Sequence, residues 1–180
     1  GIRNMTDAAD APTITSIADL LAVAYRIETD AVERYTMLAE QMASHNNPEL
    51  AVVFQDLARA EGLHAAEIRR IAGDTDIVAH ADQVARWQRT ESPEAAELGA
   101  AYYLMTRRDA LELALAGELR ALAFFQLAAH NAADPGIKDL ARKFVDEETE
   151  HVELCRRLLN KYPAAAAGAP FDPDPGVSQE

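Results

Sequence analysis

Glu61-x-x-His64 and Glu148-x-x-His151 repeat one spacing in two distant parts of the chain, each inside a long stretch of helical periodicity. At about 3.6 residues per turn, positions i and i+3 lie on one helix face roughly one turn apart. A carboxylate and an imidazole so placed can grip one metal ion. One such pair arises by chance in many helices; the recurrence gives it weight. Glu28 and Glu118 add a carboxylate each, again amid apolar neighbours. Four carboxylates contribute about four negative charges and two divalent ions about four positive, so the filled set is near neutral and can be buried. Hard oxygen ligands with one imidazole per metal suit iron or manganese better than copper or a structural zinc.

Such a set needs long helices to carry it, and the composition favours them. The 180 residues are enough for one domain with a substantial core. They are 49% hydrophobic but only 6% aromatic, rich in Ala and Leu, which points to closely packed helices. A net charge of -13 disfavours a nucleic-acid partner, whose phosphates call for clustered Lys and Arg, and is compatible with attracting cations. With Cys155 the only cysteine, an intrachain disulfide, a Cys-based zinc site and an iron-sulfur cluster held by one chain are excluded. No apolar run is long enough to span a bilayer and no basic start precedes one, so no membrane is expected and the chain reads as cytoplasmic.

Residues 1–15 read as a flexible N-terminus. Ser16, with Asp19 three residues on, predicts a helix start, and that helix runs to about Ser44. Asn47-Pro48-Glu49 predicts cap, first-turn proline and early acid for a second helix ending at Gly73. Residues 74–92, with Asp74, Asp76, His80 and Trp87, read as a crossover. From Ser92-Pro93-Glu94 a helical pattern either continues to about Asn131 or breaks near Arg107-Arg108-Asp109. Asp134-Pro135 opens the last helix, which Pro163 ends after about Lys161. Residues 162–180, mostly Ala, Pro, Gly and Asp, read as a mobile tail.

The two halves can be superposed. Asp19–Ala39 lies over Asp109–Ala129 without a gap, matching Glu28 to Glu118, Ala31 to Ala121 and Tyr35 to Phe125; Pro48 then falls on Pro135, Glu61 on Glu148 and His64 on His151. The fold expected is therefore all-α: a four-helix bundle over residues 16–161, made of hairpin 16–73, crossover 74–92 and hairpin 93–161. A hairpin alone leaves its apolar face wet, so the two copies pack face to face.

One Glu from each of two helices and a Glu-x-x-His from each of the other two form the ligand arrangement of ferritin-like di-iron carboxylate proteins. The sequence resembles the rubrerythrin-like branch of that family in Glu28-x-x-Ala31-x-x-x-Tyr35 and Ala60-Glu61-x-x-His64-Ala65, and again in its second half, over roughly residues 16–160. The resemblance implies two Fe ions, with Mn the alternative, held by Glu28, Glu61, His64, Glu118, Glu148 and His151. By the same resemblance Glu61 and Glu148 bridge the metals, Glu28 and Glu118 are terminal, and each histidine binds one ion. Two features of the branch are missing: a second glutamate one turn after the third-helix ligand, which would fall at Ala121, and the cysteines of a rubredoxin domain.

The function expected is that of an oxidoreductase of ferroxidase or peroxidase type. It would oxidise bound Fe(II) with O2 or H2O2, in iron handling or peroxide defence, with an external electron donor for turnover and as a homodimer or higher homo-oligomer. The alternatives are a non-enzymatic iron-buffering or cargo module, a binuclear manganese catalase, and hydroxylation of an organic substrate. Outside the metal set, Tyr35, two turns from Glu28 on the same face, could hydrogen-bond a ligand or carry an electron, but its counterpart Phe125 favours core packing; Cys155 also reads as core. His45, His80 and His130 read as cap or surface residues, and Glu33, Glu147, Glu150 and Glu153 as outer-face charges.

Overall fold

The computed structural model describes residues 14–81 and 105–163. The first helix, α1 (Ile17–Ser44), opens on a capping box. The Ser16 hydroxyl accepts from the Asp19 N–H at 3.1 Å, and the Asp19 carboxylate accepts from the Ser16 N–H at 3.1 Å and the Thr15 N–H at 3.0 Å. Beyond the C-cap His45, Asn46 adopts a φ of 57°, a left-handed conformation Asn tolerates better than most residues, and the Asn47 N–H returns to the Met42 carbonyl at 2.8 Å. That tight reversal sends α2 (Pro48–Ala72) back along α1.

Asn47 sits at the cap position of α2 but does not cap it. Its side chain makes no bond to the helix and instead donates to the His45 carbonyl at 3.2 Å. With φ and ψ at -114° and 67°, its backbone departs from the extended conformation usual at an N-cap. Pro48, which has no N–H to satisfy, reduces what the missing cap costs. Gly73, at a φ of 58°, ends the helix.

The third helix, α3 (Arg107–Asn131), settles the choice the sequence left open. It starts afresh, with Thr106 extended at φ -77° and ψ 167° and a second capping box between Thr106 and Asp109. The fourth, α4 (Pro135–Lys161), is capped by the Asp134 carboxylate, which accepts from the N–H groups of Gly136 and Ile137 at 2.7 and 3.1 Å.

The described residues form an all-α, ferritin-like bundle: α1 pairs with α2, α3 with α4, and α1 joins the hairpins by touching both α3 and α4. Its apolar core is in two parts. At one end Leu20, Ile68, Phe125, Ile137 and Phe144 pack together; at the other, Leu38, Met42, Phe54, Leu111 and Cys155. Each large aliphatic or aromatic side chain buried so contributes about 1.5–3 kcal/mol. The early residues of α1 and α4 share one cluster with the late residues of α2 and α3, so α1 and α4 run one way and their partners the other. Residues 77–81 are helical and add Ile77 and Ala81 to the first cluster, while Met105 lies in the second. The described segments thus stop at opposite ends of the bundle, as a long crossover requires. Trp87, most of the expected crossover, the start near Ser92 and nearly all of both expected terminal segments lie outside the described residues. Among the described residues no helix is long and apolar enough to cross a membrane.

Candidate metal centre

Between the two apolar clusters lies a layer of charge. Glu28, Glu61, Glu118 and Glu148 are each 1–2% exposed, one from each helix, and they are the buried ionisable acids of the described core. Each follows its helix's inward stripe: Leu21, Ala24, Glu28, Ala31 and Tyr35 on α1, and Phe54, Leu57, Glu61, Ala65 and Ile68 on α2. His64 and His151 complete the layer from the side, 26% and 13% exposed, their rings stacked 5.5 Å apart.

Glu61 stands between the two imidazoles. Its Oε2 is 3.2 Å from His64 Nδ1, and its Oε1 is 2.9 Å from His151 Nδ1. Glu28 approaches His64 Nδ1 at 3.8 Å; Glu118 and Glu148 approach His151 Nδ1 at 3.8 and 4.0 Å. All six residues predicted from the sequence therefore converge, with Glu28 and His64 on one side of Glu61, and Glu118, Glu148 and His151 on the other.

Burial without hydrogen bonds marks the layer as a place for cations. Both carboxylate oxygens of Glu28, Oε1 of Glu61 and Nδ1 of His151 are buried and make no hydrogen bond; the 2.9 Å approach of the last two lacks the alignment of one. Buried polar atoms are normally satisfied, and leaving one bare costs about 1–3 kcal/mol. Bare lone pairs converging from carboxylates and imidazoles are the donor set a divalent ion requires, so these residues fit a pair of metal ions.

The titration of the layer shows how it balances its own charge. Burial, reinforced by Glu61, pushes Glu28 up to about 8 against the pull of His64. Burial and the neighbouring carboxylates of Glu118, Glu28 and Glu61 push Glu148 up to about 11. For Glu61 and Glu118 burial acts upward too, but the nearness of His151, with His64 and Glu28 beside Glu61 and Glu148 and Tyr35 beside Glu118, prevails and holds both below the usual carboxylate range. Glu28 and Glu61 raise His64 to about 10; Glu118 and Glu61 raise His151 to about 11 despite its burial. The layer thus divides its carboxylates, with Glu28 and Glu148 pushed toward the protonated form and Glu61 and Glu118 held in the charged form by the imidazoles beside them.

The rubrerythrin family model matches residues 19–159, nearly all of the bundle and all six converging residues. The chain belongs to the rubrerythrin family. The family is ferritin-like and binds a di-iron centre. A crystal structure of an uncharacterised conserved protein from Magnetospirillum magnetotacticum MS-1 is similar at 35% identity and a TM-score of 0.68, covering 84% of this chain and 98% of that one. A comparison with curated proteins found no match.

Three residues of this rubrerythrin-family site were misjudged or missed by sequence reasoning. Tyr35, for which core packing was favoured over a hydrogen bond to a ligand, is buried in the core and also donates its hydroxyl to Glu118 Oε1. Its ring stacks on Phe54 at 6.0 Å, so the fold uses the ring and the site uses the oxygen. Glu147, expected on the outer face, lies with Glu28 and His64 in a group whose ligand atoms are all within 4.8 Å of one another. Arg34 was not singled out; its guanidinium lies over Tyr35 at 5.5 Å and against Gly117, where an added Cβ would come within 2.5 Å of its Cζ. Ala121 is buried in the core, so α3 offers no second carboxylate there. Cys155 is buried, and burial pushes its thiol up to about 11, as expected of a core cysteine.

Proposed function

We propose that the chain is a di-iron carboxylate oxidoreductase in which bound Fe(II) is oxidised by O2 or H2O2, serving iron handling or peroxide defence. The observation that carries this reading is the bare, buried donor set around Glu61, whose two oxygens face the two histidines separately. Glu28 with His64 would hold one ion and Glu118 with His151 the other, with Glu61 between them and Glu148 completing the set. Such a pair of ions supplies two electrons to a small oxidant at one place.

The chain's own residues do the rest. The two apolar clusters close the layer off along the bundle, which keeps its dielectric low and strengthens every contact inside it. His64 and His151 lie on the more open side, the natural approach for a small oxidant. Tyr35 orients Glu118 by its hydrogen bond and offers a proton beside the layer; burial and the Glu118 charge hold that proton on the phenol at neutral pH. An external electron donor is needed if the role is repeated peroxide reduction. A homodimer or higher homo-oligomer belongs to the same proposal: Val52 and Leu63, 53% and 66% exposed and about three turns apart on α2, offer apolar surface to a partner.

The test is an anaerobic Fe(II) titration followed by mixing with O2 and, separately, with H2O2, read by near-ultraviolet absorbance. Two irons per chain and rapid oxidation are expected, the faster oxidant showing whether iron storage or peroxide removal comes first. Tight binding without oxidation would replace this reading with a carrier. Oxygen release from H2O2 by the Mn form, without added reductant, would replace it with a catalase.

A further inference from the structure

The two sides of Glu61 are related by the repeat, yet they are not alike. On one side Tyr35 hydrogen-bonds Glu118, and the repeat places Phe125, which has no hydroxyl, in the equivalent position beside Glu28. On the other side Glu147 stands with Glu28 and His64, and the repeat places Ala60, which has no carboxylate, in the equivalent position beside His151. One side has gained a hydrogen-bond donor and the other an acid.

Glu147 differs from an ordinary surface acid in where its carboxylate lies. It is only 26% exposed, although it neighbours Glu148 on α4 and points away from the stripe that Glu148 follows. Its oxygen lies within 4.8 Å of ligand atoms of both Glu28 and His64. Both oxygens of Glu28 are buried there without a hydrogen bond, so a bare acceptor is already aimed into the space the three residues enclose. Two carboxylates, Glu28 and Glu147, thus meet beside His64 with Glu28 unbonded, an arrangement that a metal ion among the three would satisfy. The alternative partner of Glu147 is Lys143, at 4.0 Å and half exposed, too distant and too solvated to hold the carboxylate away.

We propose that Glu147 is a fifth carboxylate ligand of this chain, binding the metal ion on the Glu28 and His64 side and making that subsite more negative than its counterpart. The proposal rests on the di-metal reading above. Glu147 would add its carboxylate from α4, on the side of the layer where Glu28 and His64 stand. The two ions then bind unequally, the one beside His64 under an extra negative charge and nearer the surface.

The test is Co(II) titration of the full chain, following stoichiometry by calorimetry and coordination by the visible ligand-field spectrum. Wild type is expected to take up two ions with distinct affinities. Glu147→Gln should weaken one of them tenfold or more and change the spectrum of that ion, leaving the other as in wild type. Glu147→Asp, which keeps the charge on a side chain one methylene shorter, should change the same spectrum. Glu150→Gln should alter neither. Wild-type binding in Glu147→Gln would overturn the proposal. So would weaker binding with an unchanged spectrum, which would make Glu147 a charge acting through space. A wild-type chain that takes up no Co(II) would overturn the di-metal reading and the proposal with it, and is distinguished because it fails before any substitution.

Discussion

Tyr35 and Phe125 occupy equivalent positions in the two halves of the chain, and one oxygen atom separates them. Tyr35→Phe keeps the ring in the core and removes the donor to Glu118. Loss of such an orienting partner is expected to weaken metal binding about 10- to 100-fold on the Glu118 side, measured by Fe(II) or Mn(II) titration, while the fold loses about 1 kcal/mol. Glu148→Ala should reduce uptake far below Glu150→Ala; equal uptake in the two would remove Glu148 from the site. Protons report the same layer. Glu28, Glu148, His64 and His151 are all raised, so divalent ions binding there should displace protons, read by calorimetry in buffers of different ionisation enthalpy. Affinity should therefore rise with pH across neutrality. For the metal-free chain the sign is opposite. Glu28 is raised from 4.5 to about 8, so its contribution to stability is full below 4.5 and is lost as pH rises to 8; Glu148, His64 and His151 act in the same direction, so Glu28→Gln should make the fall shallower without removing it. The six converging residues were legible from type and spacing because they recur. Tyr35's hydrogen bond to a ligand was a readable option outweighed by its apolar counterpart, whereas Glu147's reach was not legible, because helical angle alone places Glu147 off the inward stripe while a long side chain spans the difference.

Helix starts were legible wherever a side chain could reach back to the backbone, and this has consequences for stability. Ser16 and Thr106 each accept from the third residue's N–H and are answered by Asp19 and Asp109. Ser16→Ala and Thr106→Ala should each cost about 1 kcal/mol, whereas Asn47→Ala should cost only a few tenths, since that side chain caps nothing. Chemical denaturation of the three variants checks the contrast. Asn47 was misread because Asn before Pro is the sequence of a cap, and only the backbone angles reveal that it faces His45 instead. The start of α3 was undecided because an Ala- and Leu-rich pattern runs through it. The signal that decides it, Thr106-x-x-Asp109, was present as an N-cap with an acid three residues on. Asp19 serves two elements, capping α1 and lying 2.8 Å from His80 Nε2 next to the helical segment 77–81. That second contact joins residues far apart in the chain, and no local pattern predicts it.

At the scale of the whole molecule, a bundle with a charged layer between two apolar clusters is stabilised by whatever fills the layer. An ion binding only the folded state at a hundred times its Kd adds about 2.7 kcal/mol per site, which for a chain of this size raises Tm by about 5–10 °C. The fold class was legible because the repeat demands two hairpins, and each hairpin demands a partner for its apolar stripe. What the repeat could not convey is what its differences do, and two of them, Tyr35 against Phe125 and Glu147 against Ala60, fall at the site. The most direct measurement is anomalous diffraction at the iron edge from crystals of the Fe(II)-loaded chain. Two peaks are predicted, one on each side of Glu61, the first beside Glu28 and His64 and the second beside Glu118 and His151. A single peak, or iron found only at surface carboxylates, would contradict the di-iron centre.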